Sequence, residues 1–249
     1  MPTLGVALIT KNAASHLAEC LQAVAWAQHI VVLDSGSSDA TLDIARAHGA
    51  EVHTTPDWPG FGAQKNRALA LLDTDWILAL DADEIVSPAL AAAIQQAIAQ
   101  PAADVYALAR LSSYCGRWIK HSGWYPDPVA RLFRRGQARY SDDLIHERLL
   151  FNGKAPTLVG ELLHYSFDNL DQVLDKVNRY SQAGAQQRLQ RGDRGSLGKA
   201  IFKGLSTFLR SYVFKAGFLD GREGFILAVS NAEGAYYRTL KLMYLQERP

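Results

Sequence analysis

Three carboxylates fall within four residues at Asp81-Ala82-Asp83-Glu84, directly after the apolar run Trp76 to Leu80. Acids that close repel one another unless positive charge neutralises them, and a divalent cation with oxygen ligands is the obvious neutraliser. A buried strand does not tolerate charge, so the acids must stand where the chain leaves a sheet. In open α/β sheets that carboxyl edge is where ligands bind. The same residues also read as a plain acidic strand-to-helix turn, with Ser87-Pro88 opening the next helix.

The elements that would position these acids follow from periodicity. Leu4 to Ile9 and Ile30 to Leu33 are short continuous apolar runs, suited to strands buried on both faces. The first ends in Thr10-Lys11-Asn12, the second in Asp34-Ser35-Gly36-Ser37-Ser38-Asp39. Leu17, Leu21 and Val24 mark a helix between them, and Ser38 or Asp39 can cap a second helix running through Ala47. Glu51 to Thr54 reads as a third strand. Trp58 to Gly62 reads as a loop, and Ala63 to Leu72 as a helix carrying Gln64-Lys65-Asn66-Arg67. Pro88 to Gln100 is an Ala-rich helix and Val105 to Leu111 a strand. This alternation predicts an α/β fold with a wound, mostly parallel, Rossmann-like sheet. Beyond it lie a loop at Gly123 to Asp127, strands over Val129 to Phe133 and Leu158 to Tyr165, and an all-helical stretch from Asn169 onward. The predicted domains are residues 1–166 and a helical, basic C-terminal region, 167–249.

Consecutive parallel strands end at one edge of such a sheet, so the clusters at Thr10, Asp34 and Asp81 can converge. Asp34 and the Thr10-Lys11-Asn12 backbone suit a base and ribose. Lys65 or Arg67 suits phosphate, and Asp83 suits a cation bridging two phosphates. Neither G-x-G-x-x-G nor G-x-x-x-x-G-K-[ST] follows the first strand, which argues against dinucleotide oxidoreductases and P-loop NTPases.

Taken in order, Thr10-Lys11-Asn12, Asp34 through Thr41, Gly62-Ala63-Gln64-Lys65-Asn66-Arg67-Ala68 and Asp81-Ala82-Asp83-Glu84 resemble a family 2 glycosyltransferase of the GT-A fold. Gly123-Trp124-Tyr125-Pro126-Asp127, Arg131-Leu132-Phe133, His146-Glu147 and Gly217-Phe218-Leu219-Asp220-Gly221 narrow the resemblance to lipopolysaccharide core β-glucosyltransferases of the WaaE/LgtF type. The resemblance implies a nucleotide-sugar site made by Thr10, Lys11, Asn12, Asp34, Asp39, Lys65, Asn66, Asp81 and Ala82. In it Asp34 contacts the base, Asp39 shapes its loop and Asp81 lies near the ribose. Lys11 stands where many relatives place an aromatic that stacks on the base. The implied metal is Mg²⁺ or Mn²⁺ on the diphosphate, held by Asp83 with Asp81, and His164 is a candidate third ligand.

An inverting transferase needs a carboxylate to deprotonate the acceptor hydroxyl and positive charge for the departing nucleoside diphosphate. Asp127, Asp142, Asp143 and Glu147 are the candidate bases. Glu147 leads because His146-Glu147 matches the subfamily's pair, and Asp127 follows because its Trp-Tyr-Pro loop can line an acceptor site. The expected reaction moves a hexose, glucose from UDP-glucose, onto a lipopolysaccharide inner-core sugar or similar glycolipid. The rivals are a sugar-phosphate nucleotidyltransferase, which shares the sheet, and a non-catalytic nucleotide- or glycan-binding module.

The chain's net charge of +1 hides an asymmetry. Residues 1–166 hold 13 Lys and Arg against 17 Asp and Glu, whereas residues 167–249 hold 13 against 8. Leu197, Ile201, Leu205, Phe208, Leu209 and Tyr212 share one helical face, with Lys199, Lys203 and Arg210 opposite. Such a helix either packs its apolar face on the catalytic domain or meets anionic membrane or a phosphorylated glycolipid. No nucleic-acid motif accompanies these charges, so no nucleic acid is expected. Two cysteines make no disulfide framework, and neither a signal peptide nor a transmembrane window is visible. The expected place is the cytoplasm, at the inner face of the inner membrane if the tail binds lipid.

Overall fold

The computed structural model describes residues 2–141 and 147–247. The expected bases Asp142 and Asp143, and His146 of the His-Glu pair, lie outside the described residues. The chain divides into two compact units, one of residues 1–110 and 127–164, the other of residues 111–126 and 165–249.

In the first unit, β1 (Leu4–Thr10), β2 (His29–Asp34), β3 (Glu51–Thr54) and β4 (Trp76–Asp81) are parallel, in the order β3-β2-β1-β4. Helices α1 (Ala14–Ala23), α2 (Thr41–Ala47) and α3 (Phe61–Ala70) connect them. Because side chains alternate along a strand, β1 feeds two cores. Leu4, Val6 and Leu8 join Leu78, Leu80 and the α1 residues Leu17 and Leu21 on one face. Ala7 joins Val31, Leu33, Ile77 and Ala79 with Ala68 of α3 on the other. The continuous apolar runs are therefore strands buried on both sides.

The acidic turn leads into the short strand β5 (Glu84–Val86), and Ser87 then caps α4 (Pro88–Ala99) by accepting from the Leu90 amide. The sheet continues with β6 (Val105–Tyr114), to whose far end the two-residue β7 (Arg117–Trp118) pairs, then β8 (Asp127–Arg134) and β11 (Thr157–Phe167). β8 inserts antiparallel between β4 and β6, and β11 runs antiparallel to β5. This insertion puts Arg131 of β8 beside the end of β4. A separate ladder joins β9 (Ala138–Tyr140) to β10 (Leu149–Phe151). Asp127, expected in a loop, begins β8 instead.

The second unit is built on α5 (Leu170–Gln190), α6 (Leu197–Leu209) and α7 (Gly221–Gln246), so the region after Asn169 is helical as expected. The motif Gly217-Phe218-Leu219-Asp220-Gly221 has a structural reason. Buried Asp220 accepts from the backbone amides of Lys120 and His121 at 3.1 and 2.9 Å and meets His121 Nδ1 at 2.9 Å. Gly217 lies under Ser122, where an added Cβ would sit 2.5 Å from Oγ.

Helix α6 does not pack through its apolar face. Its buried residues are Ala200 and Gly204, and at Gly204 an added Cβ would lie 3.4 Å from Tyr236 Cβ of α7. Small residues let the two helices approach closely. Leu197, Ile201, Leu205 and Leu209 are left exposed, while Phe208 and Tyr212 turn aside to stack with each other and meet Phe225.

Asp220→Ala removes an acceptor of two backbone hydrogen bonds in a buried place, so we expect a stability loss of about 2–4 kcal/mol. Urea denaturation measures it, and a loss within error of zero would show that the motif does not fasten the 120–121 backbone.

Candidate active site

The first strand ends are tied together by side chains rather than left open. Thr10 and Asp34 are register partners on β1 and β2, and Thr10 Oγ1 donates to Asp34 Oδ2 at 2.9 Å. Asp34 Oδ1 accepts the Gly36 and Ser37 amides, both at 2.8 Å, and Oδ2 accepts the Ser37 hydroxyl at 2.5 Å. Burial raises the proton affinity of this carboxyl, but the hydrogen bonds from Ser37 and Thr10 outweigh it and hold the pKa below the usual range. Asp34 is wholly buried. In this structure its carboxylate shapes the loop.

Asn12, left-handed at φ 51°, donates its amide to Ser37 Oγ and accepts the Ser38 amide on Oδ1, both at 2.8 Å. Asp39 accepts the Ala14 amide at 3.2 Å and the Thr41 amide at 3.1 Å. Neither Ser38 nor Asp39 is the N-cap of α2, which is Ala40; Asp39 receives the Thr41 amide from one residue further out. Lys11 stands exposed on the rim of this double loop.

Helix α3 brings the cationic side. Lys65 Nζ lies 2.9 Å from Asp81 Oδ1 and 3.3 Å from Glu147 Oε1, and 5.1 Å above the Tyr140 ring. Burial pulls the Lys65 pKa down, Asp81 pulls it up, and the result is a raised value and a firmly charged ammonium. Asn66 has a different task. It donates to Tyr140 O at 2.9 Å and accepts from Tyr140 N at 2.8 Å, so its amide is spent on β9. Arg67 is also drawn away, bound at two 2.9 Å contacts to Asp57. Of the cations on this helix, only Lys65 faces the acids.

The acidic turn itself is neutralised from β8. Arg131 Nη2 donates to Asp81 Oδ2 at 2.5 Å and to Glu84 Oε1 at 2.8 Å. Glu84 is fully buried and also accepts the Asp81 amide at 3.0 Å, which closes the turn. Asp81 stays ionised: burial opposes its charge, but Arg131 and Lys65 drive its pKa far below the usual range. Asp83 is left over. Burial, with the charges of Asp81 and Glu84, pushes its carboxyl up to about 7. His164 on β11, the register partner of Glu84, brings Nε2 to 3.7 Å from Asp83 Oδ2.

The structure thus brings Asp83 and His164 together, while Asp81 turns to Lys65 and Arg131. Among the described residues no three His, Cys, Asp or Glu side chains form a ready cage for a metal ion. The donor set nonetheless fits a hard divalent cation, because Asp83 is crowded by the charges of Asp81 and Glu84. Ala82 lies between the two acids as a half-buried backbone link. Asp127 is bound by Arg110, with Oδ2 accepting Nη2 at 2.6 Å and Nε at 3.0 Å. A cleft of about 400 Å³ opens between Lys65, Asp81, Arg110, Arg131, Tyr140 and Glu147.

The model of glycosyl transferase family 2 matches residues 6–152, more than half of the chain. The chain belongs to glycosyl transferase family 2. The lipopolysaccharide core biosynthesis glycosyltransferase LpsC of Rhizobium meliloti is 29% identical over 251 residues, covering 96% of this chain and 91% of that protein. An uncharacterized glycosyltransferase of Rickettsia typhi is 28% identical over 258 residues, covering 98% and 88%. Among solved structures, glucosyl-3-phosphoglycerate synthase from Mycobacterium tuberculosis with Mn²⁺, UDP and glucosyl-3-phosphoglycerate superposes with a TM-score of 0.39 and 23% identity, over 45% of this chain and 44% of that one.

In this family 2 glycosyltransferase, sequence reasoning overlooked Arg110, Arg131 and Tyr140 as parts of the cleft. A signal was present: each arginine interrupts an otherwise apolar strand, and a cation inside such a strand must have an acid to pair with. Arg131→Met would leave Glu84 buried without its main partner, and we expect a loss of about 3–5 kcal/mol in urea denaturation. Adding Glu84→Gln should recover part of it; no recovery would show that the arginine acts through packing alone.

Asp83 gives a pH signature. With a folded pKa of about 7 against about 3.9 unfolded, the folded chain holds this proton more tightly. The stabilisation is present below about pH 4 and is lost as pH rises through 7. In chelator, the Tm of Asp83→Asn relative to the parent should therefore climb between pH 4 and pH 8. A flat difference would mean that the acid is not crowded.

Proposed function

We propose that this chain is an inverting, metal-dependent hexosyltransferase that moves glucose from UDP-glucose onto an inner-core sugar of lipopolysaccharide or a similar glycolipid. Family membership supports glycosyl transfer, and the relative named for lipopolysaccharide core biosynthesis supports the acceptor class. The observation that carries the reading is a single cation between two acids. Lys65 reaches Asp81 at the metal turn and Glu147, 82 residues away in sequence, in one cleft.

In the reaction the acceptor oxygen attacks the anomeric carbon as the bond from that carbon to the diphosphate oxygen breaks. Glu147 takes the proton of the attacking hydroxyl, so the carboxylate ends protonated and the nucleoside diphosphate leaves with the electron pair. Lys65 stabilises the negative charge gathering on the leaving group. Asp83 and His164 would hold a Mg²⁺ or Mn²⁺, which when bound neutralises the diphosphate. Lys11 and Asn12, with the turn fastened by Asp34 and Asp39, would make the rim for base and ribose. Glu147 ranks ahead of Asp127 because Nε and Nη2 of Arg110 both donate to Oδ2 of the latter, whereas Glu147 has one longer contact to Lys65.

Glu147→Gln keeps the shape and removes the base. We expect kcat to fall by about 10²–10⁴-fold, with UDP binding in Mn²⁺ unchanged by calorimetry. Near-normal turnover would remove Glu147 from this role, and the same loss in Asp127→Asn alone would transfer it.

A further inference from the structure

The exposed ridge of α6 is unusual for a folded surface. Phe202 is 67% exposed, Leu205 63% and Phe214, just beyond the helix, 81%. Leu197, Ile201 and Leu209 extend the ridge along the whole helix, which at 13 residues is about 20 Å long. Large apolar side chains in one contiguous strip mark a surface that is covered by something. Within the unit, the packing side of α6 is already filled through Ala200 and Gly204.

Next to this ridge lie two clefts of about 280 and 330 Å³, which share Arg188, Asp193, Lys203 and Thr239. Lys199, Arg194, Arg191 and Arg238 add positive charge to one or the other. Asp193 is the one acid lining them, and it is held by Arg188 at 2.9 Å. Phe202 lines the first cleft together with Lys199 and Lys203, so apolar ridge and cationic hollow are continuous.

We propose that this side of the helical unit docks on a bilayer bearing anionic phosphate headgroups. The ridge enters the boundary between headgroups and acyl chains, and the basic clefts take up headgroup phosphates. An amphipathic helix lying in the interface buries its apolar face in this way, and nearby Lys and Arg add attraction to acidic lipid. No described helix is long and apolar enough to cross a membrane, so α6 lies on the surface. A second copy of the chain fits poorly, because pairing ridge on ridge about a two-fold axis would bring each set of cations toward its own image. The inference deepens the reading above, by naming where a glycolipid-bearing membrane would be met. It does not depend on which sugar is moved.

The test is flotation of the whole chain, without donor or acceptor, on phosphatidylcholine vesicles with and without phosphatidylglycerol at low salt. Binding only to the anionic vesicles is expected. Lys199→Gln/Lys203→Gln should weaken it on the order of thirtyfold, and Phe202→Ser/Leu205→Ser at least about tenfold. Both pairs are exposed, so Tm and UDP binding should be unchanged. Three results would overturn the proposal: no binding of the parent chain to anionic vesicles, binding that survives the Phe202→Ser/Leu205→Ser change, or a concentration-dependent dimer abolished by that change in a chain that ignores vesicles. Transfer to a water-soluble acceptor, measured on the same variants, separates a failure here from a failure of the catalytic reading.

Discussion

Carboxylates held at the end of a buried strand need counter-charge, and most of the first unit's arrangement answers that need. Asp81 and Glu84 emerge from a strand with no room for charge, and Glu84 is itself fully buried. Three cations from distant parts of the chain converge on them, Lys65 from α3, Arg131 from β8 and, at 3.5 Å from Glu84, Arg110 from β6. An ion pair in such a place is worth little beyond its own desolvation, but removing one partner is expensive. The antiparallel insertion of β8 beside β4 is therefore more than a topological detail, since it delivers the arginine that lets the turn exist. Asp83 instead faces the His164 imidazole at 3.7 Å, and that asymmetry distinguishes a fastened acid from an acid with something left to bind.

The parallel half of the fold was readable because its signals are local. Apolar runs, polar ends and a Ser-Pro start to α4 each speak through a few adjacent residues. The family followed from four short motifs in order. The pairing of β8 between β4 and β6 was not readable, because it depends on partners from 17 to 58 residues away. The same limit applies to the site. Lys65 could be placed on the correct edge, but neighbours on its helix looked equally able to contact a ligand. Only the fold shows that Asn66 is spent on the Tyr140 backbone and Arg67 on Asp57. Asp34 illustrates the reverse: its position at a strand end was legible, yet its burial within its own turn was not.

The helical unit carries a related lesson. Periodicity correctly finds a helix at Leu197–Leu209, but an apolar stripe does not say which side will pack. Close approach of two helices requires small residues, and Ala200 and Gly204 win the contact with α7 for that reason. The leucines are displaced outward by geometry, not by polarity.

Lys65 has one positive charge and two carboxylates beside it, Asp81 and Glu147. Arg131 shares the load at Asp81, and an anion arriving in the cleft would draw on the same lysine charge. Asp81 would then keep less of the positive charge that holds its pKa down, and it would hold a proton more readily. Anion binding and proton uptake are consequently linked, and each must favour the other by the same factor. The occupancy of the cleft is in this sense a chemical reading of its own acidity.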